Sequence, residues 1–215
     1  MRASDVTEAA QGALNDPQGR RWNTPFLLAA LTEAQRQVVA LKPEANSITV
    51  AVELVAGVRQ TLPEDGYGLV RVMRNMGSDG NTPGRYIREV PLETLLSAVP
   101  AGPTGNAAPV DEYAFDDRDA RAYYVNPPSA GAFVELIYGA EPAAVQNVDS
   151  VLPLSGGWQP ALLNYVLFRA LSRETNAQDQ NRAAMYFDAF LGGVAGKAEG
   201  KNRFRPGQIP MRGEQ

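Results

Sequence analysis

Histidine and cysteine are both absent from the 215 residues of this sequence, and the two absences exclude most common catalytic sites. Without cysteine there is no disulfide scaffold, no thiolate metal ligand and no cysteine nucleophile. Without histidine, a serine–histidine–aspartate triad is impossible. The three lysines, Lys42, Lys197 and Lys201, do not lie near a serine in a pattern that would indicate a serine–lysine pair. We therefore expect a protein that works through shape and contacts, not an enzyme, with no cofactor and no metal.

Long apolar runs are also missing from the sequence. No stretch reaches the roughly 18 apolar residues that a membrane span requires, so we expect no contact with a membrane. Residues 1–10 carry Asp5 and Glu8 and do not have the basic start and apolar run of a signal peptide. A chain of this length buries about 70% of its unfolded surface, which is enough for a stable core.

The net charge of −4 is unevenly distributed along the chain. Residues 197–215 contain five basic and two acidic residues, a net charge of +3, so the other 196 residues carry −7. An acidic body does not attract nucleic acid by counterion release. A short basic tail is suited either to docking on an acidic partner or to simple exposure to solvent.

Helical patterns lie at both ends of the chain. Asn23 and Pro25 are a capping residue and a first-turn proline, and leucine and other apolar residues then recur at helical spacing as far as Leu41. Residues 3–14 predict a short helix capped by Ser4. From Trp158, a helix that is apolar on nearly every side is followed by a second helix, which the pair Gly192–Gly193 is predicted to end.

Short β patterns fill the middle of the chain. Apolar residues alternate with polar ones over 48–54, and further β-rich runs follow, including 113–115, 122–125 and 132–138, which we interpret as a meander of antiparallel hairpins. The order of patterns predicts an α+β fold, in which N- and C-terminal helices form a bundle around an inserted antiparallel β domain. The expected parts are N-terminal helices over 1–47, the β insertion over 48–156, a C-terminal helical hairpin over 157–196 and an extended basic arm over 197–215.

The acidic residues of the β region are the main candidates for chemistry. Calcium loops need oxygen ligands at alternating positions and a glycine at the bend, whereas Arg118 interrupts the densest acidic group here, so we interpret it as a solvated turn. Acids on strands are the candidates for a glycosidase pair, and we interpret them as solvent-facing. Aromatic residues that could stack sugars are interpreted as core or interface residues. The acidic group is Asp111, Glu112, Asp116, Asp117 and Asp119; the strand acids are Glu53, Glu135 and Glu141; the aromatic residues are Tyr123, Tyr124, Phe133, Tyr138 and Trp158.

Six stretches in sequence order carry a resemblance to a known family. They are LTEAQRQVVALKPEA (31–45), AGVRQTLPEDGYGLVRVMRNMG (56–77), YYVNPP (123–128), VELIYGAEP (134–142), LLNYVLFRALSRE (162–174) and NRAAMYFDAFLGG (181–193). Together they resemble the head-to-tail adaptor (connector) proteins of short-tailed bacteriophages.

This resemblance implies a structural virion protein in the neck of the tail, assembled in the host cytoplasm. Its expected partners are the portal protein, a tail tube or nozzle protein, and further copies of itself in a ring homo-oligomer, a dodecamer, through which DNA passes without specific binding. Residues 197–215 would form the arm that docks on the portal. The proposed anchor residues of the arm are Lys197, Lys201, Arg203, Phe204, Arg205, Ile209, Met211 and Arg212.

Two alternative functions remain open from the sequence. One is another neck or tail-completion subunit, which binding to purified portal would separate from an adaptor. The other is a carbohydrate-binding or glycan-cleaving module, which a pair of facing acids in a concave pocket would favour.

Overall fold

The computed structural model describes residues 1–98, 108–116 and 118–203, with side chains described as far as residue 196. The helices are α1 (Ala3–Ala13), α2 (Thr24–Leu41), α3 (Leu92–Ala98), α4 (Gln159–Leu171) and α5 (Ala177–Arg203). The strands are β1 (Ser47–Glu53), β2 (Arg59–Thr61), β3 (Gly66–Met76), β4 (Pro83–Tyr86), β5 (Arg88–Glu89), β6 (Glu112–Asp116), β7 (Asp119–Asn126) and β8 (Phe133–Ala140). Short 3-10 helices cover Pro43–Asn46 and Gly156–Trp158.

The α+β class is confirmed by this combination of helices and largely antiparallel sheets. The chain divides into two compact units. The helical unit consists of Met1–Gln35 and Ala144–Gln215, and the β unit of Arg36–Ala143. The division falls inside α2, so the last turns of this helix belong to the β unit. The arrangement of the helices as a bundle stays a prediction.

The starts of α1 and α2 are fixed by different residues. At α2 the predicted cap is present, because the Asn23 side-chain oxygen accepts the backbone N–H of Phe26 at 3.0 Å. At α1 the prediction of a Ser4 cap is wrong. The N-cap is Arg2, two residues before Ser4, and the Asp5 carboxylate accepts the backbone N–H of Arg2 at 2.7 Å. A carboxylate in the first turn satisfies the free donor and also suits the positive end of the helix dipole.

Helix α4 is largely enclosed within the helical unit. Its buried residues lie on several sides, as the sequence pattern predicts: Ala161, Leu162, Tyr165, Val166, Leu167, Ala170 and Leu171. One side of α4 packs on α1, where Gln159 donates a hydrogen bond to the carbonyl of Asp5 at 3.0 Å. Another side packs along α5. Pro160 in the first turn starts the helix without a lost hydrogen bond.

The β unit contains two four-stranded sheets. Their strand orders are β1–β8–β3–β4 and β2–β7–β6–β5. The first sheet is antiparallel throughout, whereas β5 and β6 in the second are parallel. The predicted meander is therefore wrong beyond the β6–β7 hairpin, because β7 and β8 belong to different sheets. Residues 127–132, between β7 and β8, carry the chain from one sheet to the other.

The two sheets share one apolar core. Val72, Val134 and Leu136 come from the first sheet, and Tyr113 and Val125 come from the second. Asn75 of β3 adds a buried polar link, since its side-chain amide both donates to and accepts from the backbone of Val110, each at 2.7 Å. Pairing both atoms of a buried amide avoids the cost of an orphaned polar group. The residues before β6 are thereby held to β3.

Gly139 of β8 lies where the backbone of the Pro43 turn approaches most closely. A Cβ atom at this position would come within 2.6 Å of the Pro43 Cα, Cβ and carbonyl oxygen atoms. Two of these three are backbone atoms, which cannot rotate away as the end of a long side chain would. A side chain at residue 139 would therefore push the 3-10 turn off the sheet.

Buried tyrosines give the β unit a sensitivity to alkaline pH. Burial raises the pKa values of Tyr113 and Tyr123. Burial, together with a 2.9 Å hydrogen bond from the hydroxyl to Asp65, raises the pKa of Tyr138 to about 12. The neutral phenol is the form that the folded protein favours in each case.

The first prediction concerns Gly139. We expect Gly139→Ala to lower the free energy of unfolding by about 1–3 kcal/mol, since overpacking against backbone forces a shift of the chain. Chemical denaturation followed by circular dichroism measures the change. Gly12→Ala is the control, because a Cβ at Gly12 meets nothing within 4 Å. A Gly139→Ala protein as stable as wild type would show that the Pro43 turn does not pack here.

The second prediction concerns pH. A group whose pKa is raised in the folded state contributes stability below its unfolded pKa, and this contribution is lost as the pH rises through the folded pKa. The contribution of Tyr138 is thus complete below the ordinary tyrosine value near 10 and declines towards about 12. We expect the thermal midpoint of wild type to fall through this interval, and Tyr138→Phe to reduce the slope. If the thermal midpoint falls with pH by the same amount in wild type and in Tyr138→Phe, the burial of this hydroxyl is contradicted.

Candidate interaction surfaces

The predicted docking arm falls partly outside the described residues. Phe204, Arg205, Ile209, Met211 and Arg212 lie outside them. The backbone of Lys197, Lys201 and Arg203 forms the last turns of α5, so the extended conformation predicted for 197–215 is wrong for 197–203. The first seven residues of the basic segment, 197–203, therefore lie on helix α5.

Aromatic rings hold α5 against α4. Tyr165 of α4 meets Phe190 of α5 edge-on, with ring centroids 5.1 Å apart. Phe168 of α4 lies 4.8 Å from Phe187 of α5, centroid to centroid. Position numbers rise along α5 as they fall along α4, so the two helices are antiparallel. Aromatic pairs at these distances stabilise a contact beyond the apolar area that they bury.

The pair Gly192–Gly193 lies inside α5, so the prediction that it ends the helix is wrong. Neither glycine has the positive φ of a left-handed C-cap. The buried side of α5 instead continues across the pair, from Phe190 to Val194. The free energy gained by burying this continuing apolar stripe outweighs the entropy cost of holding two glycines in a helix. A Cβ on Gly193 would make ordinary contact with Ala161 at 3.6 Å.

The C-terminal end of α4 is fastened to the segment before α2. The Trp22 indole N–H donates to the carbonyl of Ala170 at 3.2 Å, and the Arg21 guanidinium pairs with Glu174 and lies over the Trp22 ring. Asp16 shapes this segment by accepting the backbone N–H groups of Trp22, Arg21 and Arg20 at 2.8–2.9 Å. These hydrogen bonds, that of Trp22 above all, lower the pKa of the Asp16 carboxyl.

Opposite its buried stripe, α5 presents an exposed side of small and apolar residues. Met185 is 70% exposed, and Leu191 is exposed as well. Asp188 is the only charged residue between Ala183 and Gly196.

The acidic group of the β6–β7 hairpin is engaged by arginines and by its own turns. Asp119 pairs with Arg59 at 2.8 Å, Asp111 pairs with Arg85, and Glu112 pairs with Arg88. Asp116 accepts the backbone N–H of Arg118 at 2.9 Å, while Asp117 lies outside the described residues. The Arg88 partner lowers the pKa of Glu112. Across the described ranges, the acidic residues form no cluster of three with metal-binding geometry.

The strand acids and aromatic residues also have structural partners. Glu135 pairs with Arg74, and Glu141 pairs with Arg36, each at 2.9 Å, whereas Glu53 is exposed at the end of β1. The interpretation of the aromatic residues as core is confirmed for three of them, which are buried: Tyr123, Tyr138 and Trp158. Tyr124 and Phe133 are half-buried.

A cleft of about 580 Å³ lies beside β5 and the start of α3. Its lining includes the acids Glu89, Glu93 and Asp116 together with Phe115 and Arg118. The Glu89 carboxylate accepts the hydroxyl hydrogen bond of Tyr113 at 2.9 Å, and Asp116 is the turn acceptor described above. Two of the three acids thus have roles in holding the hairpin.

The charge of the protein is concentrated in the β unit. This unit contains nine basic and fourteen acidic residues, a net charge of −5, while the helical unit contains eleven basic and ten acidic residues, a net charge of +1. Five of the basic residues of the β unit are arginines in the ion pairs above. The remaining acids leave this unit with a negative field.

The prediction from α5 concerns its glycine pair. We expect Gly192→Ala to raise the free energy of unfolding by about 0.5–1 kcal/mol, because alanine loses less chain entropy in a helix and nothing lies within 4 Å of the new Cβ. Gly193→Ala, in the same helix but facing Ala161, is the matched comparison. Urea denaturation measures both. If Gly192 capped the helix with a left-handed backbone, the substitution would lower stability instead.

Comparison with known proteins identifies the family. In the described part of the chain, no helix has the length and apolar character needed to cross a bilayer. No curated protein sequence matches the chain significantly. The model of the SU10 adaptor protein family matches residues 1–210, which is nearly the whole chain. The resemblance to phage head-to-tail adaptors is thereby confirmed, and the protein belongs to the SU10 adaptor protein family.

Proposed function

We propose that this protein forms a ring between the portal and the tail of a bacteriophage and lines the channel through which DNA leaves. The observation that carries the proposal is the family match over residues 1–210. Family membership makes the chain a structural adaptor of the virion that associates with portal and tail components. Beyond family membership, we propose the ring itself, its twelve-fold symmetry, its place in the neck and its DNA channel. Ring contacts are heterologous and close by rotation.

The C-terminal segment is the proposed portal-docking arm. Residues 197–215 carry +3, while the rest of the chain carries −7. Helix α5 contains the first residues of this segment, 197–203, and is held through its aromatic contacts with α4. Because α4 holds α5, residues 204–215 are attached at a fixed position. From there they would offer the partner both charge and the apolar residues Phe204, Ile209 and Met211. Such a combination suits the anchor residues that dominate interface energies.

The β unit is the proposed wall of the DNA channel. Its net charge of −5 repels phosphate, so a passing duplex would not be retained by counterion release. Paired arginines are already occupied by carboxylates and offer DNA little free positive charge. Within this scheme, residues 1–47 and 157–196 form the helical body, 48–156 the β insertion and 197–215 the arm.

The proposed function needs no catalysis. The acid-lined cleft beside α3 is the feature that most resembles a glycan site, yet Glu89 and Asp116 are engaged with Tyr113 and the Arg118 backbone. A glycosidase needs one free acid and one free base or nucleophile flanking the bond that is cleaved. Incubation with bacterial cell-wall glycan tests the point, and we expect no released fragments.

The arm gives the sharpest test of the proposal. We expect a protein that ends at residue 203 to lose binding to purified portal while its circular dichroism spectrum stays unchanged, because the deletion leaves α5 intact. Arg205→Glu with Arg212→Glu, in the full-length chain, should weaken binding strongly in a salt-dependent way. Arg2→Glu is the control for a charge change on an exposed surface outside the arm.

Two outcomes of this experiment would contradict the proposal in different ways. Full portal binding by the shortened protein would contradict the arm assignment. Failure of wild type to bind portal at all, with binding to tail components retained, would favour another neck or tail-completion subunit.

A further inference from the structure

The four sheet edges of the β unit are unequal. Strands β2 and β5 are edges of only three and two residues, and β4 is four residues long and begins at Pro83. Short edges and edge prolines protect a sheet against unwanted pairing. Strand β1 is seven residues long, pairs with β8 without any bulge, and carries no charge before Glu53. This edge has none of the usual protection.

The register of β1 shows which of its backbone groups face outward. Leu54, directly after β1, donates its N–H to the carbonyl of Ala132 at 2.8 Å. On the other side of β8, the Glu141 N–H donates to the carbonyl of Asp65 at 2.7 Å. Odd-numbered residues along β8 therefore bond towards β3, and even-numbered residues bond towards β1. In an antiparallel ladder alternate residues bond to the neighbour. Val52, Val50 and Ile48 therefore bond to β8, while the backbone groups of Ser47, Thr49, Ala51 and Glu53 point away from it.

No partner for these outward groups exists in the part of the chain that the structure describes. Side chains at the same edge are also incompletely covered. Ile48 is 39% exposed although its cross-strand neighbour Tyr138 is only 3% exposed. Val50 and Val52 are half-buried beside the fully buried Leu136 and Val134. The apolar core therefore continues under β1 and ends there without a covering strand.

The geometry defines what would complete the edge. An added strand would hydrogen-bond to the backbone of Thr49 and Ala51. Every second side chain of that strand would then lie beside Ile48, Val50 and Val52, on the same face of the sheet. Those side chains must be apolar. The residues between them must not be proline, because their N–H groups face β1.

Neither the strands that the structure describes nor the sequence of residues 204–215 offers such a strand in a ring. If residues 204–215 placed Ile209 and Met211 over the core, Pro206 and Pro210 would fall at the positions that must donate. Strands β2, β4 and β5 are too short. Two β1 strands could pair with each other, but this contact is isologous and stops at two copies, whereas a ring needs heterologous contacts.

We propose that β1 accepts a strand from the tail component that follows the adaptor, so that the first sheet becomes five-stranded and continuous with the tail. The proposal rests on the proposed function, in which the arm takes the portal and leaves the β unit for the tail. The occupant is an extended polypeptide segment with apolar residues at alternate positions. Backbone pairing gives the contact its direction, and the alternate apolar side chains give it selectivity.

Residue-resolved hydrogen exchange provides the direct test. The full-length protein is compared free and in complex with the purified tail component, and complex formation is followed separately by sedimentation. We expect the Thr49 and Ala51 amides to become at least about tenfold more protected in the complex, while Val50 and Val52 are already slow in the free protein. A complex that forms without protecting Thr49 and Ala51 overturns the inference and leaves the proposed function standing. Absence of any complex with portal or with tail overturns the proposed function and this inference with it.

A pair of variants gives a second readout. Ala51→Pro removes one outward N–H and no bond to β8, a position at which edge strands tolerate proline. Ala51→Val keeps the N–H and is the matched control. We expect Ala51→Pro to weaken tail binding about tenfold, with unchanged circular dichroism and unchanged portal binding, and Ala51→Val to bind as wild type. Equal tail binding by the two variants contradicts the inference. Protection of Thr49 and Ala51 in a dimer of the free protein also contradicts it, because β1 would then serve self-pairing.

Discussion

The helical unit depends on the burial of α4 among segments that are distant in sequence. Trp22 holds one end through the Ala170 carbonyl, Gln159 holds the other through the Asp5 carbonyl, and Tyr165 contacts Phe190 of α5. Each contact joins the C-terminal helices to a different part of the chain. Because α4 is enclosed, the direction of α5 is fixed, and so is the point from which residues 204–215 begin. The function proposed for the arm requires this rigidity.

Charge and backbone pairing give the two units different capacities for contact. The helical unit ends in a positive segment, whereas the β unit has a net charge of −5 and one unprotected sheet edge. A salt-sensitive contact suits docking on an acidic partner. A ladder of backbone hydrogen bonds is less sensitive to salt, and it fixes the orientation of the two paired strands relative to each other. An adaptor must join two unlike neighbours, and the proposed arm and the proposed β1 edge would give the chain a distinct type of contact for each.

The sequence was sufficient for the elements whose signals are local. Asn23 and Pro25 located the start of α2, and the apolar character of 161–171 identified α4 as a buried helix. Signals that depend on tertiary packing were misread. The continued burial of Val194 keeps Gly192 helical, and the crossing of the chain after Asn126 separates β7 from β8 into two sheets. The open edge of β1 could not be predicted, since unpaired backbone becomes visible only when the strand order is known.

We propose that this protein acts by geometry, as a ring joining portal to tail. Cryo-electron microscopy of the virion neck tests it most directly. We expect a ring of this chain between portal and tail, with the C-terminal segment on the portal and the acidic β unit beside the DNA. Density for the chain at any other place in the particle, or its absence from the neck, would contradict a role in joining portal to tail.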